Sequence, residues 1–178
     1  NGQVCSSLTR LIVGRGRHDA FVEALSSRFG KLRVGDPFDA SSEIGPLVSA
    51  RQRDRVEAYI AQGRTEGARL VTGGDRPAHL ERGYYVAPTV FAGVDNHSTI
   101  GREEIFGPVL AVIPYTSVTE AIELANNIEY GLGAAVWSRD IQAAVEVAKR
   151  IHAGTVWIND YHLIIPHAGF TGFKQSGF

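Results

Sequence analysis

The 178-residue sequence has no methionine and a single cysteine, Cys5. One cysteine cannot close an internal disulfide, and without a CxxC pair or a Cys/His cluster there is no structural zinc site to expect. Cys5 is therefore buried, reactive or incidental. No apolar run approaches the roughly 20 residues needed to span a bilayer, and no charged stretch followed by an apolar one marks an export signal. A cytoplasmic protein away from the membrane is expected. An excess of charge is missing too: 18 Lys and Arg stand against 19 Asp and Glu. No basic stripe is left to bind nucleic acid by counterion release, which favours a small-molecule partner. A chain that starts at Asn1 and stops after KQSGF without a recognisable closing element reads as a piece of a longer one. Internal repeats and low-complexity tracts are absent, and the length suits one compact domain over residues 1–178 with no boundary inside it.

What is present alternates. Leu8, Leu11, Ile12 and Val13 make a strand-like run leading away from Cys5. The spacing of Phe21, Val22, Leu25 and Phe29 predicts a helix over 18–29, stopped by Gly30. RVGDPFDASSEIGPLV is rich in turn formers and predicts an ordered loop. Ser49 and Gln52 form a capping box for a helix with Val56, Tyr59 and Ile60 inward, ending near Gly67. ARLVTGG, GYYVAPTVF (interrupted by Pro88), VLAVIPY, GLGAAVWS and GTVWIND read as strands. A helix after the Ser117/Glu120 capping box and another over 140–151 lie between the later ones, the second with Ile141, Ala144, Val145, Ala148 and Ile151 inward. Such alternation predicts an α/β fold with an open, mainly parallel sheet and helices on both faces.

The chemistry centres on Cys5. Gly2 allows close backbone approach, and Gln3, Ser6 and Ser7 are poor companions for a merely packed sulfur, so a thiol at a backbone turn fits nucleophilic attack on a carbonyl. The order Cys5, His152, Asn159 imitates a papain-type hydrolase, but the local CGSCW-type signature is missing and His152 falls in an expected helix. Glu103 and Glu104 read on their own as a solvated turn. Phe106 and the Gly-Pro corner after them could instead aim one carboxylate and one ring face at a ligand.

NGQVC, VGDPFDASSEIGPLVS, GYYVAPTVF, REEIFGP, EAIELANNIEYGL, GTVWIND and GFKQSG occur in the order of the aldehyde dehydrogenase superfamily, which the whole chain resembles. The resemblance implies that Cys5 is the nucleophile, that Glu104 binds the nicotinamide ribose hydroxyls of NAD or NADP, and that Phe106 packs near the nicotinamide. It implies an aldehyde as the small-molecule partner, a homo-oligomer for the full-length enzyme, and a coenzyme domain, a general-base glutamate and an oxyanion-hole asparagine upstream of Asn1. On that expectation the isolated chain is inactive.

GTVWINDYH looks most like bacterial betaine aldehyde dehydrogenases, in which Tyr161 and Phe170 would offer ring faces to a quaternary ammonium. PHAGFTGFKQSG departs from the commoner pattern at Gly169 and Thr171. An aminoaldehyde, an aliphatic aldehyde or a CoA-acylating reaction stays open, as does a non-catalytic module that self-associates.

Overall fold

The computed structural model describes residues 1–177, and its contacts group into two compact units, Asn1–Pro114 and Tyr115–Phe178. In the first unit, β1 (Arg10–Gly14), β2 (Arg69–Thr72), β3 (Thr89–Ala92) and β4 (Val109–Tyr115) form one sheet in the order β1-β4-β3-β2. β3 and β4 are parallel, with Thr89 opposite Val109, and β2 joins antiparallel at the edge. All four residues of β3 are buried, as are Val109, Ala111, Val112 and Ile113 of β4. Their unbroken apolar runs suit strands covered on both faces.

Helix α1 (Arg15–Phe29) lies on one face, where Leu25 and Phe29 join Val22, Val13, Val90, Ala92 and Val112. Helix α2 (Ala50–Thr65) and the single turn α3 (Thr99–Arg102) lie on the other. A Cβ on Gly63 would stand 2.9 Å from Ile100 and 3.1 Å from Phe91, so α2 has almost no clearance there. This arrangement is the expected one. Phe21 departs from it: the inward stripe of α1 is 18, 22, 25 and 29, and Phe21 is left 44% exposed while buried His18 takes its place. The Gly93 N–H donates to His18 Nε2 at 3.3 Å, giving that polar ring a partner. Residues 84–87 are not a strand, because β3 starts only after Pro88, which supplies no ladder donor.

In the second unit, β6 (Gly133–Val136), α5 (Ile141–Ala148) and β7 (Thr155–Ile158) make a parallel strand–helix–strand unit, with Gly133 opposite Thr155. Asp140 caps α5 by accepting the Ala143 N–H at 3.0 Å, and the helix ends three residues short of the expected Ile151. Ile141, expected inward, sits at the helix mouth and is 50% exposed, and His152 lies outside the helix. Helix α4 (Val118–Asn126) precedes β5 (Tyr130–Gly131), which pairs antiparallel with β8 (Phe173–Lys174).

The terminal KQSG, which offers no closing element by pattern, is a clasp. Lys174 Nζ donates to the carbonyls of Asn126 at 2.7 Å and Ile128 at 2.9 Å, at and just beyond the end of α4. The Gly131 N–H donates to Ser176 Oγ at 3.0 Å, and the Gln175 N–H to the Glu129 carbonyl at 3.0 Å. Gly154 is required beside it, since a Cβ there would lie 1.6 Å from the Thr171 carbonyl oxygen.

Candidate active site

Cys5 is exposed, on a turn closed by the Ser7 N–H donating to the Val4 carbonyl at 2.8 Å, just ahead of β1. The three residues before that turn are pinned. Asn1 Nδ2 donates to the Pro46 carbonyl at 2.9 Å, and Gln3 Oε1 accepts the Val48 N–H at 3.1 Å. The Gly-Pro-Asp-rich loop over 34–48, folded by its own side chains, thus ends as a cradle for the first residues. Asp36 accepts the Phe38 N–H at 2.9 Å, and Asp39 the Ser41 N–H at 2.8 Å. The Ser41 contact holds the Asp39 carboxyl below the usual range.

Gly2 has φ of 76°, and a Cβ on it would stand 2.0 Å from the Gly107 carbonyl oxygen. No other residue fits between these two backbones. The cysteine turn is in this way docked against the Glu103–Gly107 segment, about a hundred residues along the chain.

That segment is held in turn by α2. Gln52, Arg55 and Tyr59 stand three and four residues apart, so they share one helical stripe. Tyr59 OH donates to Glu103 Oε2 at 2.7 Å, and the Arg55 guanidinium donates to the Glu104 carbonyl at 2.8 Å. Gln52 Nε2 donates to the carbonyls of Phe106 at 2.9 Å and Ile105 at 3.3 Å. Phe106 is half-buried with φ of 59°, a left-handed conformation uncommon for an aromatic residue. The Glu104 side chain stays exposed while its backbone is fixed.

The capping box is half of what its pattern implies. The Gln52 N–H donates to Ser49 Oγ at 3.2 Å, but its side chain leaves the cap for Ile105 and Phe106. Gln52 and Arg55 were missed as members of the site, and Tyr59 was assigned only to the apolar face. The polar residues at 52, 55 and 59, one step round the helix from Val56 and Ile60, were the available signal.

Tyr161 and Phe170 lie in the second unit and meet the same partner. The Tyr161 ring packs edge-on to Trp157 with centroids 5.7 Å apart, and the Phe170 ring is tilted at 6.4 Å from it. Trp157 is buried, and its Nε1 donates to the Leu163 carbonyl at 2.9 Å. Tyr161 is 37% exposed. Asn159, third in the papain-like order, is occupied structurally: its amide accepts the Ser138 N–H at 2.8 Å and donates to the Ser138 carbonyl at 2.7 Å. No helix among the described residues is long and apolar enough to cross a membrane.

A mixed, mostly parallel α/β sheet with a lone cysteine turn locked to an EEIFG segment defines a class. Over residues 1–178 the chain matches the aldehyde dehydrogenase family, and it belongs to that family. Among curated relatives, betaine aldehyde dehydrogenase of Bacillus subtilis (strain 168) is 47% identical over 179 residues, covering 99% of this chain and 36% of the relative. Betaine aldehyde dehydrogenase 1 of Rhizobium meliloti (strain 1021) is 48% identical over 178 residues, covering 99% and 37%.

Among solved structures, Mycobacterium tuberculosis aldehyde dehydrogenase complexed with NAD+ superposes with a TM-score of 0.96 at 47% identity, covering 99% of this chain and 36% of that one. Betaine aldehyde dehydrogenase from Staphylococcus aureus in complex with NAD+ gives 0.97 at 42% identity with the same coverage. The chain spans little more than a third of the length of these relatives.

Proposed function

We propose that this chain carries the nucleophile of a cytoplasmic, homo-oligomeric enzyme that oxidises an aldehyde to a carboxylic acid with NAD or NADP, and that the aldehyde bears a quaternary ammonium. The observation that carries the reading is the docking of Gly2 on Gly107, which ties the Cys5 turn to the segment bearing Glu104 and Phe106. An exposed carboxylate on a pinned backbone, followed by a half-buried ring, fits the ribose hydroxyls and the ring of a nicotinamide nucleotide. The NAD+ complexes of the M. tuberculosis and S. aureus relatives support NAD in particular.

When bound, the nucleotide supplies the two-electron acceptor. Cys5 Sγ, as thiolate, forms a bond to the aldehyde carbon, and the carbonyl oxygen becomes an oxyanion for which the Cys5 backbone N–H is the proposed donor. As the carbonyl re-forms, the carbon gives up its hydrogen with the bonding pair and a thioester to Cys5 is left. Water then adds to the thioester, the C–S bond breaks, and acid and thiolate are released with one proton left in solution. Glu104 holds the nucleotide ribose in register with Sγ, and Phe106 limits where the nicotinamide ring can lie. Tyr161 and Phe170, gathered at Trp157, offer ring faces to the ammonium.

The test is formation of reduced nicotinamide by the full-length protein, with betaine aldehyde and with a neutral aldehyde of the same size. Turnover should fall by several orders of magnitude in Cys5→Ser, and Tyr161→Leu should raise KM for the charged substrate more than for the neutral one. Turnover that survives in Cys5→Ser overturns the chemistry. Equal KM changes for the two substrates overturn the choice of substrate alone.

A further inference from the structure

Ile105 and Phe106 present their carbonyl oxygens to the same point, the Nε2 of Gln52, at 3.3 and 2.9 Å. Successive carbonyls of an extended chain point to opposite sides. Here they converge because Phe106 has φ of 59°. Such a conformation is uphill for a residue with a Cβ, and two converging carbonyl dipoles repel each other, so the arrangement needs a donor between them. An –NH2 group has two protons and can serve both oxygens at once. The same geometry settles the orientation of the Gln52 amide, since its oxygen would face two acceptors.

Gln52 is itself well placed to act as a fixed post. Its N–H donates to Ser49 Oγ in the first turn of α2, and one turn on, Val56 closes against the segment so tightly that a Cβ on Gly107 would lie 2.5 Å from it. We infer that Gln52 is a positioning residue, whose paired hydrogen bonds hold Phe106 in the left-handed conformation and so set the direction of its ring and of Glu104 two residues earlier. The inference rests on the reading that Glu104 and Phe106 meet the nucleotide. It adds that their geometry is imposed from α2 and is not a property of the EEIFG sequence alone.

The experiment compares Gln52→Glu, which keeps the shape but replaces the donor with an acceptor, with Gln52→Lys, which restores a donor of similar reach. Crystal structures report φ at Phe106, and kinetics on the full-length protein report NAD half-saturation and the rate of NADH formation. Cys5 alkylation and the thermal midpoint serve as controls for general damage. In Gln52→Glu, Phe106 should leave the left-handed region and NADH formation should slow by about ten- to a hundredfold, with Cys5 alkylation unchanged. Gln52→Lys should keep φ positive and recover most of the rate.

Phe106 staying near its present φ in Gln52→Glu, or equal rates in the two variants, overturns the inference. A wild-type protein that reduces no NAD overturns the functional reading instead, and φ at Phe106 still decides the role of Gln52. Should Gln52→Glu not fold, Gln52→Ala carries the same comparison.

Discussion

Two segments of this chain carry the residues to which the proposed function gives ligand-binding roles, and they are built differently. Glu103–Gly107 in the first unit is fastened nearly residue by residue: the Glu103 side chain to Tyr59, the Glu104 backbone to Arg55, and Ile105 and Phe106 to Gln52, with Gly107 against Gly2 and Val56. Residues 160–170 in the second unit form an exposed loop that gathers aromatic rings round Trp157 and leaves Leu163, Ile164 and Ile165 at 60%, 53% and 41% exposure. Directional hydrogen bonds fix a geometry. Ring contacts and exposed apolar side chains leave the shape of a surface to whatever covers it. A nucleotide common to many enzymes suits the first construction, and a substrate that differs between relatives suits the second.

The sharpest way to break this comparison is at Glu104. Glu104→Gln keeps the fastened backbone and removes only the charge, so single-turnover NADH formation in the full-length protein should drop by roughly a hundredfold with the thermal midpoint unmoved. Unchanged single-turnover formation would remove the carboxylate from the site.

A smaller effect is expected where the clasp of the second unit leaves no space. Gly154→Ala places a methyl group 1.6 Å from the Thr171 carbonyl oxygen, which forces the backbone just ahead of β8 to shift and costs about 2 kcal/mol. Urea unfolding followed by Trp fluorescence measures it, Trp157 lying in this unit. Gly2→Ala strains the first unit by a comparable amount through its φ of 76° and the contact with Gly107. It should also alter the rate of Cys5 alkylation, which Gly154→Ala should leave alone. Identical alkylation rates in the two variants would mean that the Gly2 contact does not control the cysteine turn.

Lys174→Met keeps the aliphatic stem but strips the cation from the carbonyls at the end of α4, with an expected loss of about 1 kcal/mol in the same unfolding experiment. No change in the urea midpoint would mean that the ammonium is dispensable there.

The smallest effect belongs to an ion pair that is part of neither segment. The bonds from Arg76, at 2.8 Å for the longer, and the nearby charge of Arg53 hold the Glu57 carboxyl below its ordinary value of 4.5. A depressed acid stabilises the fold above its unfolded pKa, and that contribution fades as pH falls through the lowered folded value. Wild type should therefore lose a few tenths of a kcal/mol relative to Glu57→Gln between about pH 5 and 3, the pair being largely solvated. Parallel stability curves for the two proteins over that range would show that the pair contributes nothing.

Much of this was legible before any coordinates. The apolar run of β4 reads as a buried strand because both faces of its sheet are covered, and Ser49, Ser117 and Asp140 stand at helix starts because their oxygens accept the N–H three positions on. The errors have a common cause. Phe21 and Ile141 were assigned inward by hydrophobicity, but which stripe of a helix faces the core depends on its roll against the sheet, and His18 was preferred once Gly93 gave it a partner. The terminal KQSG offered no recognisable closing element because a two-residue strand and a lysine clasp have no periodicity to detect.

Sequence alone was enough for the class of fold and for the family, since apolar periodicity and short motifs are local properties of the chain. Tertiary structure decided that Gly2 meets Gly107, that Gln52 leaves its capping box to hold Ile105 and Phe106, and that Tyr161 and Phe170 share Trp157. Each of these joins residues whose separation along the chain carries no periodic signal, and each depends on donors, acceptors or rings meeting within a few ångströms, a condition that only the packed chain can satisfy.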